Sequence, residues 1–290
     1  MLKYGLMVYL PIYLKGVRPM DELERYKNMT QEEAQACLDE MNACSHDCSH
    51  CSADCSSKTK KPAKKLIAVI SGKGGTGKST VTVLLAKALQ DLGVKTAVLD
   101  ADIAGSSIPA LLGMYDPVVG DSDVMAPAKS AGGIDVMSMA LISENPVDPI
   151  IWDGKAQAAA AVFLLTGTKW AEDTDVLLID MPSGAGDIPL EYYTTMPMDN
   201  SLLVAVPGKF AENNLRRAVN LAEMLMVPVM GVVLNHSDSP ENAPEILSDI
   251  PVVAYLEEDP AIRTAANEGK METYPAAAFE FLARAIKDTL

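Results

Sequence analysis

Eight consecutive residues, Gly72-Lys73-Gly74-Gly75-Thr76-Gly77-Lys78-Ser79, have the types and spacing needed to hold phosphate. Glycines let the backbone curl so that successive amide groups face one anion, and a helix starting directly after them adds its positive end. Lys78 is placed to reach β- and γ-phosphates, the Ser79 hydroxyl to ligate magnesium, and Thr80 completes the binding set. The context LIAVISGKGGTGKST makes the motif specific, because an apolar strand run precedes the glycines and a helix-length segment follows them. A chance Gly-rich turn would not bring strand, glycines, Lys-Ser and helix into agreement.

Two further runs end in acid. VLDADIAGSS gives Asp100 and Asp102, and VLLIDMPSGAGD gives Asp180 and Asp187. In an open α/β sheet, ligands sit beyond the carboxyl ends of the strands, so these carboxylates should converge on the phosphate loop. Asp180 fits the residue that holds magnesium through water. Asp102 is the candidate for orienting an attacking water, since phosphoryl transfer needs positioning more than strong base chemistry. Gly184 and Gly186 would let their loop move with a γ-phosphate. Asp187, just ahead of Ile188-Pro189, reads equally as a helix N-cap.

A second chemistry lies upstream. Cys44, Cys48, Cys51 and Cys55 put four thiols in one short segment, with Cys37 before them and no cysteine after Cys55. An odd number so tightly packed reads as metal ligation in a reducing compartment rather than a disulfide framework. Soft thiolates in one short loop select an iron–sulfur cluster or zinc, although four-cysteine zinc sites generally come from two separated knuckles. A redox-active segment without metal is the third reading. His46 and His50 are additional candidate ligands or solvent groups.

The elements that must position these groups follow from the apolar pattern. Strands are expected at 66–71, 96–100, 134–138, 176–180, 202–206, 229–234 and 252–255, and helices at 78–92, 157–165, 211–226 and 260–268. Continuous Val/Ile/Leu strands alternating with helices indicate an α/β fold, a mostly parallel doubly wound sheet covered on both faces. Residues 66–290 form that domain. Residues 58–65, from SSKTKKPAKK, read as a basic linker, and 1–57 as a Cys-rich extension with a helix at 30–41 opened by the Thr30/Glu33 capping pattern. The apolar stretch Gly5–Leu14 is too short to span a bilayer and is broken by Pro11, and Met20 is an alternative start.

Composition limits the partners. A net charge of -15 opposes a nucleic-acid backbone or an anionic membrane as the main partner. The tail AAAFEFLARAIKDTL sets Phe279, Leu282 and Ile286 on one face, but its charges cancel, so packing on the domain is expected rather than membrane binding.

With these segments placed, the chain resembles the Mrp/Nbp-type ATPases, a MinD-related branch with the deviant Walker A loop that carries iron–sulfur clusters. The resemblance rests on SGKGGTGKST, LDADIAGSSIPALLGM, VLLIDMPSGAGDIPL, RRAVNLAEMLMVPVMGVVLNHS and DPAIRTAANEGK, in family order. It implies that Lys73 crosses a homodimer interface to touch the partner's nucleotide, against the alternative of a solvent-exposed loop lysine. It implies that Asn235 reads the adenine edge. It also favours the iron–sulfur reading of Cys44–Cys55, as a 4Fe-4S cluster. Two departures stand out: HSDSPENAPEIL has no cysteine where the family usually places an interfacial Cys-x-x-Cys, and Trp152-Asp153-Gly154-Lys155 replaces a segment that often carries Arg and Pro. Packing is the preferred reading of Trp152. The resemblance implies a cytoplasmic, magnesium-dependent ATPase that carries clusters to apo-proteins. A nickel-type metal-insertion ATPase and a MinD/ParA-like positioning ATPase are the alternatives.

Overall fold

The first strand, β1 (Lys65–Ser71), alternates side chains between two layers: Leu66, Ala68 and Ile70 enter one hydrophobic core, Ile67 and Val69 the other. That alternation, with both faces apolar, is what a sheet covered on both sides requires. The computed structural model describes residues 61–118, 125–143, 150–196, 198–208 and 212–290. The extension 1–57, with its expected helix and all five cysteines, lies outside the described residues.

Eight strands line up in the order β3-β4-β2-β5-β1-β6-β7-β8. They are β1, β2 (Thr96–Asp100), β3 (Ala128–Lys129), β4 (Asp135–Ser138), β5 (Val176–Asp180), β6 (Asn200–Ala205), β7 (Val229–Asn235) and β8 (Val252–Leu256). All neighbours pair in parallel except β3 with β4. The seven expected strands are therefore present within two residues at each end. The two-residue β3 is an added antiparallel edge, too short to leave a pattern in the sequence.

The connecting helices are α1 (Lys78–Asp91), α2 (Ile108–Leu111), α3 (Met139–Ile142), α4 (Gly154–Thr166), α5 (Asp187–Thr195), α6 (Glu212–Met224), α7 (Pro260–Asn267) and α8 (Glu280–Lys287). Helix α1 is apolar on most of its circumference because the sheet covers one side and α8 the other. Phe279, Leu282 and Ile286 of the tail are buried in that layer, while Phe281 faces outward. The apolar face that a membrane-binding tail would need is thus already occupied. Among the described residues no helix is long and apolar enough to cross a membrane. Helices α4, α5 and α6 build the opposite layer through Leu164, Ile188, Tyr192, Leu215 and Val219.

The end of the basic run is tied into this unit. Lys61 pairs with Asp199 at 2.6 Å, Lys64 with Asp175 at 2.7 Å, and Lys65 opens β1. Asp199 also accepts the Leu66 amide, so it holds the entry to the central strand by two contacts. Trp152 packs on the α4–α6 core, and Asp153 caps α4 by accepting the Ala156 amide at 2.8 Å. An aspartate just before the helix is thereby explained.

Two residues past the end of helix α6, Met226 is left-handed (φ 58°) at the position where glycine is usual, and it is 89% exposed. Replacing it by glycine removes the steric cost of the left-handed backbone and loses no packing. Met226→Gly is expected to raise unfolding free energy by about 0.5–1 kcal/mol in urea titration. An unchanged or lower value would contradict this reading of the helix end.

Candidate functional site

Three neighbouring parallel strands bring Ser138, Asp100 and Asp180 into one row. Asp100 is the register partner of both Ser138 on β4 and Asp180 on β5. These are carboxyl ends of strands, and β1, on the other flank of β5, ends one residue before Gly72. The phosphate-type loop 72–79 therefore hangs beside two buried carboxylates.

The loop is shaped by what it touches. A Cβ on Gly72 would run into the backbone of Asn214 and Leu215 in α6, so only glycine allows that close approach. Gly77 is left-handed (φ 81°), and a Cβ there would collide with the amide nitrogen of Asn235. Gly77 opens α1 without a side-chain cap, and no acidic residue lies in the first turn. In contrast, α4 and α7 are capped by Asp153 and Asp259. The amino end of α1 keeps its amide donors and its partial positive charge for an anion.

Asp180, fully buried, collects the cationic and hydroxyl groups of α1. Its Oδ1 lies 2.7 Å from Lys78 Nζ and accepts Thr82 Oγ1 at 2.8 Å, and its Oδ2 accepts Ser79 Oγ at 2.6 Å. A buried carboxylate is tolerated when paired and hydrogen-bonded in this way. Ser79 and Asp180 supply neighbouring oxygen donors of the kind magnesium prefers, so the donor set fits that ion. Thr76 Oγ1, also in the loop, is a buried hydroxyl without a hydrogen-bond partner, as suits a site that takes an oxygen-rich ligand.

Asp100 plays a supporting part. Its Oδ2 accepts the amides of Ser107 and Ile108 at 2.9 and 3.1 Å and the Ser138 hydroxyl at 3.2 Å, and its Oδ1 accepts the Asp102 amide at 3.3 Å. It thereby fixes the segment 102–108 and the start of α2. Burial, then the neighbouring Asp180 charge, push its carboxyl up to about 7, against the opposing pull of its amide donors and Lys78. Asp102 turns its carboxylate onto the Gly105 amide at 2.9 Å.

The structure thus gathers Lys78, Ser79, Thr82 and Asp180 directly and places Asp102 on the adjoining loop. Lys73 is exposed, and its carbonyl accepts Ser71 Oγ at 3.2 Å. The loop after β5 is tied to β1, since the Gly184 amide donates to Ser71 O at 2.8 Å. Asp187 is the first residue of α5 after the cap position at Gly186, so it contributes charge to that helix end rather than capping it. Asn235 is 5% exposed and donates through Nδ2 to Thr76 O at 2.8 Å. Thr82 escaped the sequence reading. The signal was a hydroxyl one helical turn after Lys78, facing the sheet.

Comparison with known proteins finds the same fold class and a family of P-loop NTPases. The family model that matches is ParA, described as NUBPL iron-transfer P-loop NTPase, over residues 62–246. An iron–sulfur cluster carrier protein of Methanocaldococcus jannaschii is 38% identical over 177 residues, covering 60% of each chain. One from Clostridium perfringens is 36% identical over 236 residues, covering 73% of this chain and 82% of that one. Among solved structures, a nucleotide-binding protein from Archaeoglobus fulgidus in complex with ADP superposes with TM-score 0.66 at 29% identity, covering 78% of this chain and 94% of that one. The cell division ATPase MinD of Pyrococcus furiosus does so with TM-score 0.59 at 26% identity, over 78% and 100%.

The raised carboxyl of Asp100 has a consequence for stability. Below the ordinary value of 3.8 both folded and unfolded chains hold the proton. Between there and about 7 only the folded chain does, so this group's contribution to stability falls as pH rises through that window, then levels. The slope is at most about 1.4 kcal/mol per pH unit. Asp100→Asn removes it, so the stability of the variant relative to the parent should rise between about pH 5 and about pH 7 in urea titrations. A pH-independent difference would mean that Asp100 is ionised throughout.

Proposed function

The chain belongs to the ParA family of NUBPL-type iron-transfer P-loop NTPases, and from that premise we propose that it is a magnesium-dependent ATPase that carries iron–sulfur clusters to apo-proteins. The observation that carries the nucleotide half is Asp180 gathering Lys78, Ser79 and Thr82 within 2.8 Å at the foot of the glycine loop. A cation and a hydroxyl held by one buried carboxylate, under an uncapped helix end, form a cradle for a phosphate chain and its metal. The ADP complex of the Archaeoglobus relative supports the same ligand class.

In this reading the amides of Gly74 to Ser79 and the Lys78 ammonium hold the β- and γ-phosphates, with Gly72 and Thr80 at the ends of the cradle. Ser79 directly, and Asp180 through water, would hold magnesium. Bound there, that ion would offset phosphate charge. Asp102, placed by Asp100 through its own backbone amide, orients the attacking water. Asn235 reads the adenine edge. Lys73 reaches across a homodimer to the partner's nucleotide, and the segment around Gly184 and Gly186, linked to Ser71, answers to the γ-phosphate. Closure with ATP and reopening after hydrolysis would couple nucleotide state to cargo.

The cargo half rests on the relatives, which are named iron–sulfur cluster carrier proteins, and on four thiols in this chain. Cys44, Cys48, Cys51 and Cys55 would hold the cluster, expected as 4Fe-4S, in the cytoplasm, because no cysteine follows Asn235. Client apo-proteins are the partners; with a net charge of -15, nucleic acid and anionic membranes are not.

Iron, sulfide and zinc should be measured on anaerobically purified full-length protein beside a chain beginning at Ser57. Stoichiometric iron and sulfide, lost with the truncation, is the expected result. A zinc-loaded or metal-free full-length protein would contradict the carrier reading.

A further inference from the structure

Asn235 sits at the end of β7, yet its side chain is spent on the phosphate loop: Nδ2 donates to Thr76 O at 2.8 Å in a site where Asn235 and Thr76 are both 5% exposed. The amide also fills the space that a Cβ on Gly77 would need. The peptide between Thr76 and Gly77 is planar and trans, so its C=O and N–H point in opposite directions. Fixing Thr76 O toward Asn235 therefore turns the Gly77 N–H to the opposite side. Under the nucleotide reading above, on which this inference rests, that side holds a phosphate oxygen.

We infer that Asn235 is a positioning residue for the phosphate cradle, acting through the Thr76 carbonyl to aim the Gly77 amide, whatever it also does at the base. The geometry is overdetermined at this point. Gly77 needs its left-handed backbone (φ 81°), the Thr76 carbonyl is buried, and the donor that satisfies it comes from a strand two places away from β1 in the sheet. Ser71 does the same at the loop's entrance, where its hydroxyl holds Lys73 O and turns the Gly74 N–H the other way. The Gly77 end carries the stronger claim because it is buried and its bond is shorter. Without Asn235 the carbonyl loses its donor, and the peptide is free to rotate away from the geometry the anion needs.

The test uses a ligand that has no base. Binding of magnesium-ATP and of magnesium-tripolyphosphate to the full-length chain is measured by calorimetry, which separates affinity from the fraction of competent protein. Asn235→Ala removes the donor, and Asn235→Leu removes it at nearly constant size, so either variant serves if the other does not fold. Both are expected to bind tripolyphosphate about tenfold more weakly at unchanged stoichiometry, the effect of losing one hydrogen bond, with ATP weakened at least as much. Weakened ATP with unchanged tripolyphosphate would place Asn235 at the base alone and overturn the inference. Reduced stoichiometry at unchanged affinity would make it a folding residue and overturn it equally. A parent chain that binds neither ligand would overturn the nucleotide reading itself.

Discussion

A carboxylate with no exposed surface is expensive, and the architecture around Asp180 is the means by which this chain keeps one. Lys78, Ser79 and Thr82 can reach it only if α1 begins right after the glycine loop and runs back beside β5. The loop can turn that sharply only with glycine at 72 and 77, one pressed on α6 and the other left-handed against Asn235. Each of these conditions depends on another. Removing the lysine leaves a buried charge held only by hydroxyl donors, so the site's chemistry and the fold's local stability draw on the same pair.

Parallel topology supplies the rest. With β2, β5 and β1 side by side, their carboxyl ends lie along one edge, and Ser138, Asp100 and Asp180 fall in register across three strands. Burial, reinforced by the Asp180 charge on the neighbouring strand, raises the Asp100 carboxyl to about 7. Asp100 nevertheless orders the segment that carries Asp102. One acid is thus paired with a lysine, while its neighbour serves as scaffold.

Much of this was legible in the residues. The strands came through because their apolar runs are unbroken, and Lys78, Ser79 and Asp180 because glycine spacing and strand ends locate them. The tail's packing showed in the spacing of Phe279, Leu282 and Ile286. Other features left little trace. Helix α2 spans four residues and is held by Asp100 on the preceding strand, which accepts the Ser107 and Ile108 amides, while α3, also four residues, is capped by the adjacent Ser138; both are too short to show a helical period. Asn235 is the clearest case of a distant contact: a residue at the end of β7 binds a carbonyl 159 positions earlier, and only the assembled sheet brings them together.

ATP turnover with magnesium, compared between the parent and Lys78→Ala, addresses the central claim most directly, with thermal melting to verify that the variant is folded. The account predicts hydrolysis by the parent and its loss, to background, in a folded variant. Undiminished hydrolysis by that variant would mean that the Lys78–Asp180 pair is not where the phosphate chain is held.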